Sequence, residues 1–123
     1  MKTELKIINV DGVAVVYLKG DIDNSVTVSF REQVDNYIIR NNIKGLVLDF
    51  KEVSFVDSSG IGFIIGRYNL MKKESGFIRL SSVNSNCYKI FYISGITRLI
   101  NCFENVDDAL RKGNLDESYR IKI

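Results

Sequence analysis

Few residues of this chain combine type and spacing in a way that chemistry can use. Most of those that do fall in one stretch, Val56-Asp57-Ser58-Ser59-Gly60-Ile61-Gly62. Asp and Ser cap helices because their side-chain oxygens accept hydrogen bonds from the orphan amides of the first turn. One such residue makes a cap, yet three stand here, followed by glycines at 60 and 62. Gly60, Gly62 and the later Gly66 each cost a helix about 0.5–1 kcal/mol relative to alanine. They also strip side chains from one region of it, so that another surface can come close. Local destabilisation of this kind often marks function.

Several chemistries are excluded. The chain has no histidine, so it builds no Ser-His-Asp triad, Cys-His pair or His-ligated zinc site. Cys87 and Cys102 are its only cysteines, too few for a four-Cys metal framework, and they read as two buried, reduced thiols. A dinucleotide fingerprint needs GxGxxG directly after a strand, whereas Gly60, Gly62 and Gly66 give GxGxxxG after a loop. The Gly-Lys-Ser/Thr of a phosphate loop and the GxSxG of a serine hydrolase are absent. A phospho-aspartate receiver at Asp49 or Asp57 lacks the acidic pair that would hold magnesium. What remains is a serine at a helix N-terminus that is itself modified, where first-turn amides and the helix dipole favour a phosphate. Ser58 and Ser59 both qualify, and residue type does not choose between them.

The elements that must position this stretch follow from patterning. The 123 residues fit one domain, and 46% hydrophobic with 26% charged residues is a globular profile. Seventeen basic against fifteen acidic residues leave +2, too little to indicate a nucleic-acid or membrane-surface protein. No apolar run nears the roughly 20 residues that span a bilayer, and the start carries no signal-peptide pattern, so a cytoplasmic location is expected. Leu5–Val10 and Val13–Leu18 flank Asp11-Gly12, a strong hairpin signal. After the polar loop Gly20–Ser25, Ser25 caps a helix to about Asn41 with Phe30, Val34, Tyr37 and Ile38 on one face. Gly45–Phe50 reads as a central strand, and Lys51–Val56 as a loop. Ile61, Ile64, Ile65, Tyr68 and Met71 then form a helix stripe that Gly76 ends, with Arg67 on the polar face, read as solvated or as a salt bridge to a partner. Gly62 and Gly66 read equally well as close helix–strand packing or as close approach of a partner. Phe77–Leu80, a helix from Asn84 or Ser85 to Gly95, Leu99–Phe103 and a last helix through Leu110 complete the pattern. The expectation is an α/β domain over residues 1–112, with a mixed sheet of about five strands, an N-terminal hairpin and about four helices. A polar tail covers 113–123. Strand order does not follow from the pattern. With no strongly apolar exposed stripe evident, a monomer is expected.

Asp57-Ser58-Ser59-Gly60-Ile61-Gly62, followed by Ile65-Gly66-Arg67-Tyr68, closely resembles the signature of the anti-sigma factor antagonists of the STAS domain family. The sporulation sigma-F type is the most similar. Gly20-Asp21-Ile22-Asp23 matches the family's Gly-acid-apolar-Asp loop, and Ile93-Ser94-Gly95-Ile96 its apolar-Ser-Gly-apolar segment. In order and spacing the resemblance covers residues 3 to 112.

The resemblance implies a regulatory protein rather than an enzyme, with no cofactor and no metal. Its partner is an anti-sigma factor that is also a serine kinase, and binding releases a sigma subunit. The kinase phosphorylates the serine after the motif's aspartate, here Ser58, and a serine phosphatase reverses this. The implied partner surface is Asp21, Asp23, Asn24, Asp57, Ser58, Ser59, Gly60 and Gly62, without direct contact to nucleic acid or membrane. Ser81-Ser82-Val83-Asn84-Ser85-Asn86-Cys87 is more polar than the family's pattern. A STAS module of another stress-signalling branch and a ligand- or nucleotide-binding domain are the alternative readings.

Overall fold

The computed structural model describes residues 3–111. Two strands open it, β1 (Glu4–Val10) and β2 (Val13–Ile22), paired antiparallel from Glu4↔Lys19 to Val10↔Val13. The turn between them works as its residue types require, with positive φ at Asp11 (51°) and Gly12 (87°). There follow α1 (Thr27–Arg40), β3 (Gly45–Val56), α2 (Ser58–Lys73), β4 (Phe77–Ser81), α3 (Ser85–Ser94), α4 (Ile96–Leu99), β5 (Asn101–Phe103) and α5 (Val106–Arg111). The sheet order is β1-β2-β3-β4-β5, and every pairing after the hairpin is parallel. The expected mixed five-stranded α/β domain is therefore present. It has one helix more than expected, because Ile96–Leu99 forms the turn α4 and shortens β5 to three residues.

Period-two alternation builds a core on each face. Ala14, Val16 and Leu18 of β2 and Leu46, Leu48 and Phe50 of β3 meet Phe30, Val34 and Ile38 of α1 and Phe63, Ile64 and Met71 of α2. Cys87 and Phe91 of α3 and Ile96 of α4 belong to the same core, with Phe50 and Phe91 edge to face at 5.3 Å. Val13, Val15, Val47 and Phe103 point the other way, toward Ala109 of α5. Cys87 and Cys102 are free and buried, and burial pushes both thiols up, Cys102 to about 12.

The segments that lead to the conspicuous motif depart most from the sequence reading. Lys51–Val56 is not a loop but the continuation of β3, with Glu52, Val53 and Val56 paired to Lys19, Gly20 and Ile22. β2 likewise runs on to Ile22, through Gly20 at φ 94°. β4 stops pairing with β3 at Asp49↔Ser81, so the outer part of β3 lies at an edge. Two register shifts break its alternation, and Lys51, Glu52, Ser54 and Phe55 are exposed. Ser25 does not cap α1: the cap position is Val26, which makes no side-chain cap hydrogen bond. Ser25 turns instead to Asp23, whose Oδ1 accepts from its amide (2.9 Å) and its hydroxyl (2.6 Å). The expected tail 113–123 lies outside the described residues.

Candidate functional site

Asp57 caps α2 from an extended conformation (φ −96°, ψ −170°). Its Oδ1 accepts the Ser59 amide (2.9 Å), the Gly60 amide (3.1 Å) and the Ser59 hydroxyl (2.6 Å). The Asn24 backbone amide adds to the electrostatic stabilisation of this carboxylate. The Ser59 hydroxyl above all, helped by the amides of Gly60, Ser59 and Asn24, holds the Asp57 carboxyl below its ordinary value against the opposing effect of burial. The Asp57 amide donates to the Ile22 carbonyl at 3.2 Å. The end of β2 and the start of α2 are thereby locked together where two parallel strands end, which brings the loop that carries Asp23 and Asn24 to the same end of the sheet as Ser58.

The two serines are not equivalent. Ser59 is half-buried and its hydroxyl is committed to Asp57, whereas Ser58, one residue earlier, is exposed. Asp21 is exposed, and its Oδ1 accepts from the Ser54 hydroxyl at 2.9 Å, which ties the end of β2 to the outer part of β3. Gly60 is required by packing: a Cβ there would lie 2.5 Å from Val56 Cγ1 and 2.8 Å from the Ile22 carbonyl oxygen. Gly62 and Gly66 are the opposite case, since a Cβ at either meets nothing within 4 Å. Close helix–strand packing therefore does not explain them. They lie along a groove of about 360 Å³ between α1 and α2, with Val28, Arg31 and Ser59 also on its walls. Among the described residues no cluster of Cys, Asp and Glu is arranged to hold a metal. No helix among them is long and apolar enough to cross a membrane.

Sequence reasoning misplaced one residue of this region. Arg67 is not solvated but 4% exposed. Its Nε lies 2.7 Å and its Nη2 3.2 Å from the two oxygens of Asp35 on α1, and its Nη1 donates to the Phe63 carbonyl at 3.2 Å. Burial lowers the Arg67 pKa and raises that of Asp35, each opposed by the partner's charge. The signal was available: Arg67 stands three residues after Ile64 and four before Met71, on the helix's inward stripe.

The site is an exposed serine at a capped helix start, locked to the last residue of β2 where two parallel strands end. The chain belongs to the STAS domain family, whose model matches residues 4–109. It is similar to the anti-sigma F factor antagonist of Paenibacillus polymyxa, 33% identical over 99 residues, or 80% of this chain and 85% of that protein. Its fold is similar to that of the anti-sigma factor antagonist SpoIIAA in its unphosphorylated form (TM-score 0.78, 22% identity, 90% of this chain and 95% of that one). The phosphorylated form of SpoIIAA, described as a Bacillus cell fate determinant, gives a TM-score of 0.71 at 22% identity, over 90% of this chain and 98% of that one.

Proposed function

We propose that this chain is an anti-sigma factor antagonist of the sigma-F type that works by partner switching. Unphosphorylated, it binds a cytoplasmic anti-sigma factor that is also a serine kinase, and the bound sigma factor is released. Phosphorylation of Ser58 ends the interaction and a serine phosphatase restores it. The chain acts as a monomer, has no catalytic residue of its own and does not touch nucleic acid. Asp21, Asp23, Asn24, Asp57, Ser59, Gly60 and Gly62 surround Ser58 in the partner surface, Gly60 through the packing that shapes the turn.

The observation that carries this reading is the contrast between the serines: Ser59 spends its hydroxyl on Asp57, and Ser58 stands exposed at the first helical position. A phosphoryl group on Ser58 adds about −1.5 to −2 charges at neutral pH. It would sit next to Asp57, whose single oxygen already occupies the Ser59 and Gly60 amides, and at the same end of the sheet as Asp23. With those donors taken, the new dianion gains little from the helix start and repels its carboxylate neighbours. A partner surface complementary to the unmodified junction is lost. The identity to the sigma-F antagonist and the existence of phosphorylated SpoIIAA support the same reading.

The test is intact mass after incubation with the cognate anti-sigma kinase and ATP. One phosphoryl addition to wild type and Ser59→Ala, but none to Ser58→Ala, is expected. Loss only in Ser59→Ala would move the switch by one residue. No addition in any sample, with the kinase active on a control, would refute the switch.

A further inference from the structure

The groove between α1 and α2 carries charge of the opposite sign to the junction above it. Arg31 and Arg67 stand on its walls and no acidic side chain does. Asp35, on α1, is paired with Arg67 and also feels the charge of Arg31. Two guanidiniums thus share one carboxylate, which leaves an excess of one positive charge on this face. Arg67 is buried against Asp35 and the Phe63 carbonyl, so the excess is presented by the exposed Arg31. At the head of α2 lies Asp57, with Asp23 in the loop just after Ile22, whose carbonyl accepts the Asp57 amide. α2 rises about 12 Å from Ser58 to Gly66, and Arg31 lines the groove that runs along this stretch, so the acidic helix start and the cationic wall are close enough to be read together. Between them Gly62 and Gly66 leave the floor bare.

Building on the antagonist reading, we infer that this groove is the second half of the partner surface and receives an acidic side chain of the anti-sigma factor, drawn in by Arg31. A surface acidic at one end and basic at the other admits a partner with the complementary pattern in one orientation and rejects the reverse, where like charges meet. The bare floor lets the partner's backbone come close enough for a short acidic side chain to reach Arg31. Phosphorylation of Ser58 would then alter one pole of this pattern and leave the other intact.

Affinity for the cognate anti-sigma factor, measured at low and at high salt for wild type, Arg31→Ala, Arg31→Lys and Arg31→Glu, tests this. Arg31 is exposed on the helix surface, so the variants should melt close to wild type. Arg31→Glu should bind about tenfold or more weakly at low salt, with the deficit shrinking as salt rises, and Arg31→Lys should keep most of the affinity. If Arg31→Glu binds like wild type at both salts, the groove is not part of the surface and the antagonist reading stands. If Arg31→Lys loses as much as Arg31→Ala with no salt dependence, shape rather than charge fills the groove and the acidic occupant is wrong. Failure of wild type itself to bind would overturn the antagonist reading and the groove with it.

Discussion

Gly62→Ala separates folding from recognition, because the two pull in opposite directions at this position. A Cβ built on Gly62 has no neighbour within 4 Å, so the methyl group costs the isolated protein nothing in sterics. Replacing glycine by alanine inside a helix stabilises it by about 0.5–1 kcal/mol. Gly66 is equally open, so the double variant should gain about 1–2 kcal/mol. At this chain length that raises the melting temperature by roughly 3–8 °C. Binding should respond the other way. The methyl groups intrude where a partner would approach, and overpacking a close interface costs about 1–3 kcal/mol. The dissociation constant should therefore rise about 5- to 150-fold. Gly60→Ala is the control. Its Cβ would meet Val56 Cγ1 at 2.5 Å and a backbone oxygen at 2.8 Å, so it should destabilise by about 1–3 kcal/mol. Thermal melts and calorimetric titration with the anti-sigma factor read both quantities. A Gly62→Ala protein that is more stable and binds as tightly as wild type would refute the idea that this glycine serves partner approach. One that is less stable would refute the open geometry.

Asp57→Ala should cost about 0.5–2 kcal/mol through loss of the cap, and hydrogen exchange should find the Ser59 and Gly60 amides less protected. Because the folded Asp57 carboxyl lies below its ordinary value, its contribution is present above pH 4 or so and is lost as pH falls through the folded value. Asp57→Asn should accordingly flatten the acid limb of a stability–pH curve. The ion pair between the helices should be asymmetric: Asp35→Ala strands a guanidinium that is 5% exposed, whereas Arg67→Ala leaves a carboxylate 28% exposed to water. Urea melts should find Asp35→Ala the more harmful, at roughly 3 kcal/mol. Cys87 and Cys102 should resist thiol reagents at neutral pH in the native protein and react in denaturant.

Signals written in adjacent residues were legible. Asp11-Gly12 takes the positive φ pair of its turn, Asn84 caps α3 by accepting the Cys87 amide at 2.8 Å, and Gly95 ends that helix at φ 90°. The junction of Asp57 with Ser58 was placed correctly for the same reason. What escaped depends on partners distant in sequence. Lys51–Val56 has the composition of a loop, and only pairing with β2 makes it a strand. Ser25 has the type of a cap, but the nearer carboxylate of Asp23 takes both its amide and its hydroxyl. Arg67 is polar by type and buried by virtue of Asp35, a residue on another helix. The pairing of the end of β2 with the helix start, through the Ile22 carbonyl and the Asp57 amide, is likewise tertiary. Tyr92 and Ile93 on α3 are 67% and 82% exposed without forming a stripe. The apolar residues there stand at consecutive positions rather than at helical spacing.

The sheet's order, β1 through β5 as the chain runs, bears on how the protein is made. Each strand leaving the ribosome finds its neighbour already in place and needs no earlier gap held open for it. The nascent domain grows by accretion at a single margin. Until β4 emerges that margin is β3, whose run Leu46-Val47-Leu48 is fully buried in the finished protein and would be its most adhesive stretch during synthesis. Growth then ends on Asn101–Phe103, three residues that offer an incoming strand little to grip. The opposite margin carries Glu4 and Lys6, charges that discourage recruitment of another chain. The interval between the third and fourth strands is therefore when a translating copy is most exposed to its neighbours on the same message.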